Sequence, residues 1–343
     1  MGALLMMASG GSIVGSKVLI GHATSNIEQT NLLGDAGKTA EEGGGDLKGS
    51  INLLLLGVDA RERNAGQGVR SDTIIILHIP ATHDQAYLLS VPRDTEVDVP
   101  GHGKRKVTEA FFFGERNGGG WAGGAQLMSQ TLNRATGIKF DGAAIINFGG
   151  FKRIIDALGG IHVCVEHEVK SMHMKLVNGK PMWNHEAKKV GGKQETVVHK
   201  KGCREMQGWE ALDYSRQRYG LPGTDYGRQQ NQQKIIKAIA KKAMAEGLTN
   251  PVKLNGLLKA MGDALVVDTN GVPIEDFIFT LRGVAANELV LLQTNGGKYH
   301  GVKVGNESRE RLDERSRAMF KAVKNDALAE FITEEPSVVV PSK

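Results

Sequence analysis

Arg216, Arg218 and Arg228 stand within one short stretch, Ser215 to Gln232, that also holds Asp225 and several side-chain amides. Pro222-Gly223 breaks the chain, and Thr224 or Asp225 can then cap a new helix. On that helix Arg228 and Gln232 share a face. Arg216 and Arg218 reach the turn from the other side, and in an extended segment they point the same way. Free N–H groups, a positive dipole end and guanidinium forks suit a phosphate-like anion. A solvated surface with ordinary ion pairs accounts for the same residues equally well on residue chemistry alone.

More charged residues sit where apolar runs end. Asp59 and Arg61 follow one run, Arg70, Ser71 and Asp72 precede a second, and Arg93 and Asp94 follow a third. In open α/β sheets ligands bind outside strand ends. Asp59 and Asp72 could hold a hard cation such as Mg²⁺, which takes carboxylate oxygens and bridges to phosphate. Arg70, Arg93, Arg216, Arg218 and Arg228 could clamp that phosphate, a site that works by positioning and charge neutralisation in phosphoryl transfer. Repeated Asp/Arg pairs are also what structural salt bridges look like. The chain has no G-x-S-x-G, P-loop or H-E-x-x-H signature. His162, His167, His173, His185 and His199 fall in or beside one polar stretch, match no zinc spacing and read as solvated.

The elements that must position these residues follow from the apolar pattern. Ile51 to Val58 is a continuous apolar run, as in a strand buried on both faces. Thr73 to Ile79 and Ala86 to Val91 flank a short polar turn and read as a hairpin. Helices are expected near Val107 to Phe113, Gly124 to Ala135, Phe151 to Leu158, Met206 to Tyr214, Tyr226 to Ala245, Leu254 to Met261 and Ile274 to Gly283. Further strands are expected at Phe140 to Phe148, Ile161 to Val165 and Leu289 to Gln293, and a charged terminal helix over Glu307 to Phe331. Strands alternating with helices give the α/β class: a layered α-β-α domain whose central mixed sheet is flanked by helices.

The ends and one insert read differently. Residues 1–25 are mostly small or apolar, interrupted by Lys17 and His22, and read as a possible remnant of a membrane anchor. Residues 26–50 are polar and Gly-rich and read as a linker. The folded domain is expected over 51–331, with a polar insert at 166–203 and a tail at 332–343. The insert reads as a long loop holding at most a hairpin.

Composition narrows the function. Apolar residues make up 40% of the 343, enough for a real core. The net charge of +5 suits an anionic membrane surface, nucleic acid or a phosphorylated ligand. Aromatics are only 5% and no basic run is interleaved with them, which argues against nucleic acid bound by base stacking. Cys164 and Cys203 are too few for a structural zinc site without histidines. They could form a disulfide in an exported protein or stand as two unrelated thiols in a cytosolic one.

The motifs Leu54-Leu55-Leu56-Gly57-Val58-Asp59-Ala60-Arg61, Arg70-Ser71-Asp72-Thr73, Ser90-Val91-Pro92-Arg93-Asp94, Lys106-Val107-Thr108 and Arg216-x-Arg218 through Asp225-x-x-Arg228-x-x-x-Gln232 occur in one order. Together they resemble the LytR-CpsA-Psr family, actinobacterial type, over about Ile51 to Gln293. The resemblance implies an N-terminal single-pass anchor in the cell membrane and an extracellular catalytic domain. It implies transfer of a glycopolymer from a polyprenyl-pyrophosphate carrier to peptidoglycan, with a pyrophosphatase side activity possible. The lipid tail would lie in an apolar tunnel between sheet and helices. By motif, Arg93, Arg216, Arg218, Arg228 and Gln232 would bind the pyrophosphate, with Arg70 contributing beside Asp72. Asp59 and Asp72 would serve Mg²⁺, and Asp225 would position Arg228 or accept the acceptor's proton. Cys164 and Cys203 resemble a cysteine pair of actinobacterial members, which favours the disulfide. One position departs: where members often carry a further arginine, three residues after Arg228, this chain has Asn231, a charge lost from the rim. Two other readings stay open: a polyprenyl-phosphate binding module without turnover, and a transcriptional regulator, which lacks a helix-turn-helix signature here.

Overall fold

Ile51–Val58 lies at the centre of a seven-stranded mixed sheet, because both of its faces are apolar. The computed structural model describes residues 27–59, 68–246, 255–257, 259–260, 262–285 and 289–341. The expected anchor, Arg61 and parts of the helix expected over Leu254 to Met261 lie outside the described residues. Along the chain come β1 (Glu28–Gln29), β2 (Ile51–Val58), β3 (Ser71–Ile79), β4 (Ala86–Ser90), a hairpin of β5 (Glu96–Val99) and β6 (Gly103–Lys106), and helices α1 (Val107–Gly114) and α2 (Gly120–Thr136). Strand β7 (Gly142–Asn147) leads into α3 (Phe148–Ala157) and β8 (Ile161–Val165). Next are β9 (Val169–Val177), β10 (Lys180–Trp183), β11 (Gln194–His199) and β12 (Gly202–Met206). Helices α4 (Gly208–Arg216) and α5 (Asp225–Glu246) carry the arginine segment. The chain continues through β13 (Leu265–Asp268), α6 (Ile274–Ala285), β14 (Leu289–Leu292), β15 (Gly301–Val304), β16 (Glu307–Glu310), α7 (Glu314–Lys324) and α8 (Leu328–Glu334).

The strand order is β1-β13-β7-β2-β3-β4-β14. Strand β2 runs parallel to β7 and antiparallel to β3, and β3 and β4 form the expected hairpin. The two-residue period of β2 sorts its side chains between layers. Leu54, Leu56 and Val58 pack with Phe111, Met128, Leu132 and Phe320 of α1, α2 and α7. Leu53 packs with Phe277 of α6, and Leu55 with Ile236 of α5, on the other face. The α-β-α layering expected from the alternation of elements is therefore present.

Four expectations change. Residues 26–50 do not form a linker where described: Ile27, Leu32, Leu33, Ala36 and Leu47 are buried. Strand β1 pairs with β13, and the Leu32 and Leu33 amides donate to Asp268 Oδ2 at 2.7 and 3.1 Å. The insert is no loop either. Strands β9, β10 and β11 form an antiparallel sheet in the order β10-β9-β11, and β12 pairs with β8. The tail also packs, with Val338 and Val340 buried and the Val340 amide donating to the Leu291 carbonyl at 2.8 Å. Glu307 to Phe331 begins as a strand, and a break near Asp326, at φ 55°, splits the rest into α7 and α8.

Candidate functional site

The turn between α4 and α5 is tight for reasons written in its residues. Gly223 has φ 65° and Thr224 has φ 49°, so the chain turns through the left-handed region before α5 starts. Gly227 lets the turn close, since a Cβ there would stand 2.6 Å from the Pro222 carbonyl oxygen. This fold-back places Arg216 and Arg218 beside Arg228.

A cavity of about 380 Å³ lies between the sheet and helices α3, α4 and α5. Its deep part is apolar, with Leu55, Ile75, Ile146, Phe151, Ile236 and Ile239 on its walls. Its other end carries Arg93, Arg216, Arg218 and Arg228, with Asp72 and Gln232. The sequence-expected arginines at 93, 216, 218 and 228 are thus brought together, and Arg70 is not. Arg70 is exposed and does not line the cavity; its guanidinium lies 4.7 Å over the Phe112 ring.

Each of these arginines meets a carboxylate. Arg93 Nη1 lies 2.6 Å from Asp72 Oδ1, and Arg216 Nη2 lies 3.3 Å from Asp59 Oδ2. Arg228 grips Asp225 through Nε at 3.2 Å and Nη2 at 2.9 and 3.1 Å, while its Nη1 donates to the Asp72 carbonyl at 3.0 Å. Arg218 Nε lies 3.0 Å from the same Asp225 carboxylate. Gln232 Nε2 donates to the Ser215 carbonyl at 3.3 Å, joining α5 to the end of α4. Burial pushes the Asp225 carboxyl up, but Arg228, Arg218 and Arg93 outweigh it and hold it below the usual carboxylate range. Such a carboxylate is a poor proton acceptor at neutral pH. Its geometry is that of a residue that orients arginines.

Several residues not expected at this site, two of them histidines read as solvated, lie in it or beside it. Arg216 is held between two aromatic faces, 4.4 Å from the Phe148 ring centre and 5.2 Å from that of Trp183. His173 lines the cavity, and His199 is fully buried with Nε2 2.7 Å from Asp213 Oδ2. Asp213 Oδ1 accepts from Ser171 Oγ at 2.9 Å and from Gln217 Nε2 at 3.0 Å. Gln217 Oε1 accepts from the Met172 amide at 3.0 Å. Thus His199 is not solvated; Glu210, Asp213 and Tyr214 of α4 lie against it. Asn231 is also away from the rim: it is buried and accepts from the Tyr214 hydroxyl at 3.1 Å.

Cys164 and Cys203 face each other across β8 and β12 and form a disulfide. Nearby His162 makes a His/Cys group with them, but oxidised sulfurs are not thiolate ligands. The carboxylates of Asp59 and Asp72 remain the donors suited to a hard cation, and Asp72 stands at the cavity wall among the arginines.

Fold and site together define an α/β domain with an apolar cavity closed at one end by guanidinium groups. Residues 18–321 match the family model for the LytR_cpsA_psr family, and the chain belongs to that family. It is 29% identical over 249 residues to the polyisoprenyl-teichoic acid–peptidoglycan teichoic acid transferase TagU of Oceanobacillus iheyensis, covering 73% of this chain and 68% of that protein. It is 32% identical over 215 residues to the probable cell wall biosynthesis protein LcpB of Corynebacterium glutamicum, covering 59% of this chain and 44% of that one. Among solved structures, TagT bound to LI-WTA superposes with a TM-score of 0.59 at 25% identity, over 82% of this chain and 91% of the other.

Proposed function

We propose that this chain transfers a glycopolymer from a polyprenyl-pyrophosphate carrier to peptidoglycan during cell wall assembly. The observation that carries this reading is the joining of an apolar cavity to a cluster of arginines. An isoprenoid tail matches the first part and a pyrophosphate the second. The names of the O. iheyensis transferase and the C. glutamicum cell wall protein support it.

In the reaction an acceptor hydroxyl, the 6-hydroxyl of N-acetylmuramic acid by family resemblance, attacks the phosphorus that bears the glycan. The P–O–P bond breaks, its electrons leave with the polyprenyl monophosphate, and a phosphodiester to peptidoglycan forms. The hydroxyl proton passes to solvent or to a released phosphate oxygen. Negative charge on the leaving phosphate rises as the bond breaks, and Arg93, Arg216, Arg218 and Arg228 neutralise it. Asp225 keeps Arg218 and Arg228 aimed at it.

Mg²⁺ fits the donor set. Four guanidiniums against the carboxylates of Asp59, Asp72 and Asp225 leave little positive charge for a pyrophosphate. Asp72, with Asp59 as a second carboxylate, would hold the ion, which when bound neutralises phosphate oxygens. The membrane reading rests on the N-terminal residues and on the lipid substrate. Among the described residues no helix is long and apolar enough to cross a membrane.

The test is direct. Purified protein is incubated with a polyprenyl-pyrophosphate-linked saccharide and peptidoglycan. Release of polyprenyl monophosphate together with saccharide bound to the wall is expected. Intact donor after long incubation with Mg²⁺ overturns the reading.

A further inference from the structure

The attacking hydroxyl must give up a proton, and the cavity wall offers few groups to take it. Among the described residues, the ionisable side chains on that wall are Arg93, Arg216, Arg218, Arg228, Asp72 and His173. A guanidinium does not lose its proton in a protein and cannot act as the base. Asp72 lies 2.6 Å from Arg93 Nη1, and Asp225 beside the wall is gripped by Arg228, so both carboxylates are occupied in orienting arginines. An imidazole ordinarily changes charge between about pH 5 and about 8, which suits a general base at neutral pH.

An irregularity in β9 brings His173 to the wall. Lys170 pairs with Val198 and Lys175 with Thr196, so residues 171–174 stand opposite Val197 alone. Bulges bend a strand and re-aim its side chains, and they gather next to active sites. Three amides of this bulge bond to side chains. The Met172 amide donates to Gln217 Oε1 at 3.0 Å, and those of His173 and Met174 donate to Ser171 Oγ at 3.1 and 2.9 Å. Ser171 Oγ in turn donates to Asp213 Oδ1 of α4 at 2.9 Å. Met174 pairs with Trp183, whose ring lies against the Arg216 guanidinium. The residues on both sides of His173 are thus fastened to the segment that carries Arg216 and Arg218, which sets the half-buried imidazole at the arginine end of the cavity.

We propose that His173 is the general base of the transfer, taking the proton of the acceptor hydroxyl as its oxygen attacks the phosphorus. The proposal rests on the glycopolymer-transfer reading above. The hydroxyl oxygen forms the new O–P bond while its proton moves to a ring nitrogen of His173. The P–O–P bond breaks with its electrons on the polyprenyl monophosphate, and the imidazolium then passes its proton to that phosphate or to solvent. The charged groups of the elements around the imidazole are the four wall arginines, Asp72, and Asp59 on the far side of Arg216. Behind the bulge stands the His199–Asp213 pair, and His185 and Glu186 follow β10.

The experiment follows transfer from a polyprenyl-pyrophosphate-linked saccharide to peptidoglycan across the pH range, together with binding of undecaprenyl pyrophosphate. The proteins are the parent, His173→Gln and His173→Ala. His173→Gln should lower kcat by about a hundredfold or more, as loss of a general base does, and should bind the lipid as the parent does. The kcat of the parent should fall on the acid side as the imidazole takes up a proton, and that limb should be missing from His173→Gln. Added imidazole should restore part of the turnover of His173→Ala, which a purely structural role would not allow; this rescue decides the matter if His173→Gln does not fold. His185→Gln changes a histidine off the cavity wall and should match the parent throughout. Turnover of His173→Gln within a few-fold of the parent overturns the proposal. A loss of turnover matched by an equal loss of lipid binding, or a His173→Ala that does not respond to imidazole, also overturns it, and each leaves the transfer reading standing. A parent that transfers nothing overturns both.

Discussion

Arg218 and Arg228 hold one carboxylate between them, and the structure separates what each does. Arg228 has 6% of its side chain exposed and Arg218 has 37%, and both line the cavity. Arg218→Ala removes a half-exposed partner from Asp225 while Arg228 keeps its bidentate grip, so no buried charge is stranded. An exposed pair of this kind contributes about 0–1 kcal/mol to stability. If its guanidinium neutralises the leaving phosphate, the same substitution should raise the barrier by about 3 kcal/mol, or about a hundredfold in turnover. Arg228→Ala is a different perturbation. It removes the fork that satisfies Asp225 and the donor to the Asp72 carbonyl. Breaking a buried pair from one side costs about 3 kcal/mol, at the low end of its range because Arg218 remains. Arg228→Ala should therefore lose both melting temperature and turnover, and Arg218→Ala turnover alone. Arg228→Lys keeps the charge but not the planar fork and should fall between the parent and Arg228→Ala. The assay is transfer from a lipid-linked donor at saturation, with thermal melting of the same preparations. Turnover within a few-fold of the parent in folded Arg218→Ala refutes the assignment of that arginine to the leaving phosphate.

The disulfide closes a loop with a sequence separation of 39, which on chain entropy stabilises the fold by about 4 kcal/mol. Neither thiol should be alkylated before reduction, and Cys164→Ser with Cys203→Ser should lower the melting temperature. Burial pushes the His78 imidazole down to about 4, against the opposing charge of Asp326. The unfolded chain then takes up this proton first, so stability falls as pH drops from about 6.5 towards about 4, by roughly 3 kcal/mol; His78→Gln should lack that component in denaturant titrations at several pH values. Asp72→Asn should weaken the dependence of transfer on added Mg²⁺, and a Mg²⁺ titration unchanged from the parent would remove Asp72 from the metal site.

The arginine cluster was legible in the sequence because its members are near one another in the chain or mark strand ends. Periodicity placed β2, β3, β4 and α5 for the same reason: each carries its apolar pattern within itself. What stayed hidden depends on distant partners. Leu32 and Leu33 sit in a Gly-rich polar stretch, and only Asp268 and α2 on the far side of the sequence show that they are buried. The insert strands alternate weakly, with Lys170 and Met172 outside and Val169 and Ser171 inside, and the many lysines dilute the signal. Arg70 matched a motif by its position near Asp72, yet it lies just before β3 and its guanidinium rests on the Phe112 ring of α1.

The insert also changes how the arginines should be understood. Asp213 is fully buried and accepts hydrogen bonds from β9 through Ser171 and from Gln217 between Arg216 and Arg218, while its other oxygen meets His199 of β11. Burial alone would push the His199 imidazole down, but Asp213 and Glu210 outweigh it and raise it, so the ion pair favours the protonated ring. Gln217 then ties this buried network to the backbone of β9, and Trp183 of β10 covers the Arg216 guanidinium. Arg216 is thus held from the insert side as well as from α4, and its neighbour Gln217 is anchored the same way. The disulfide fastens the strands β8 and β12 on either side of that insert. The insert sheet thus meets the arginine segment at two points, Trp183 against Arg216 and the Met172 amide on Gln217.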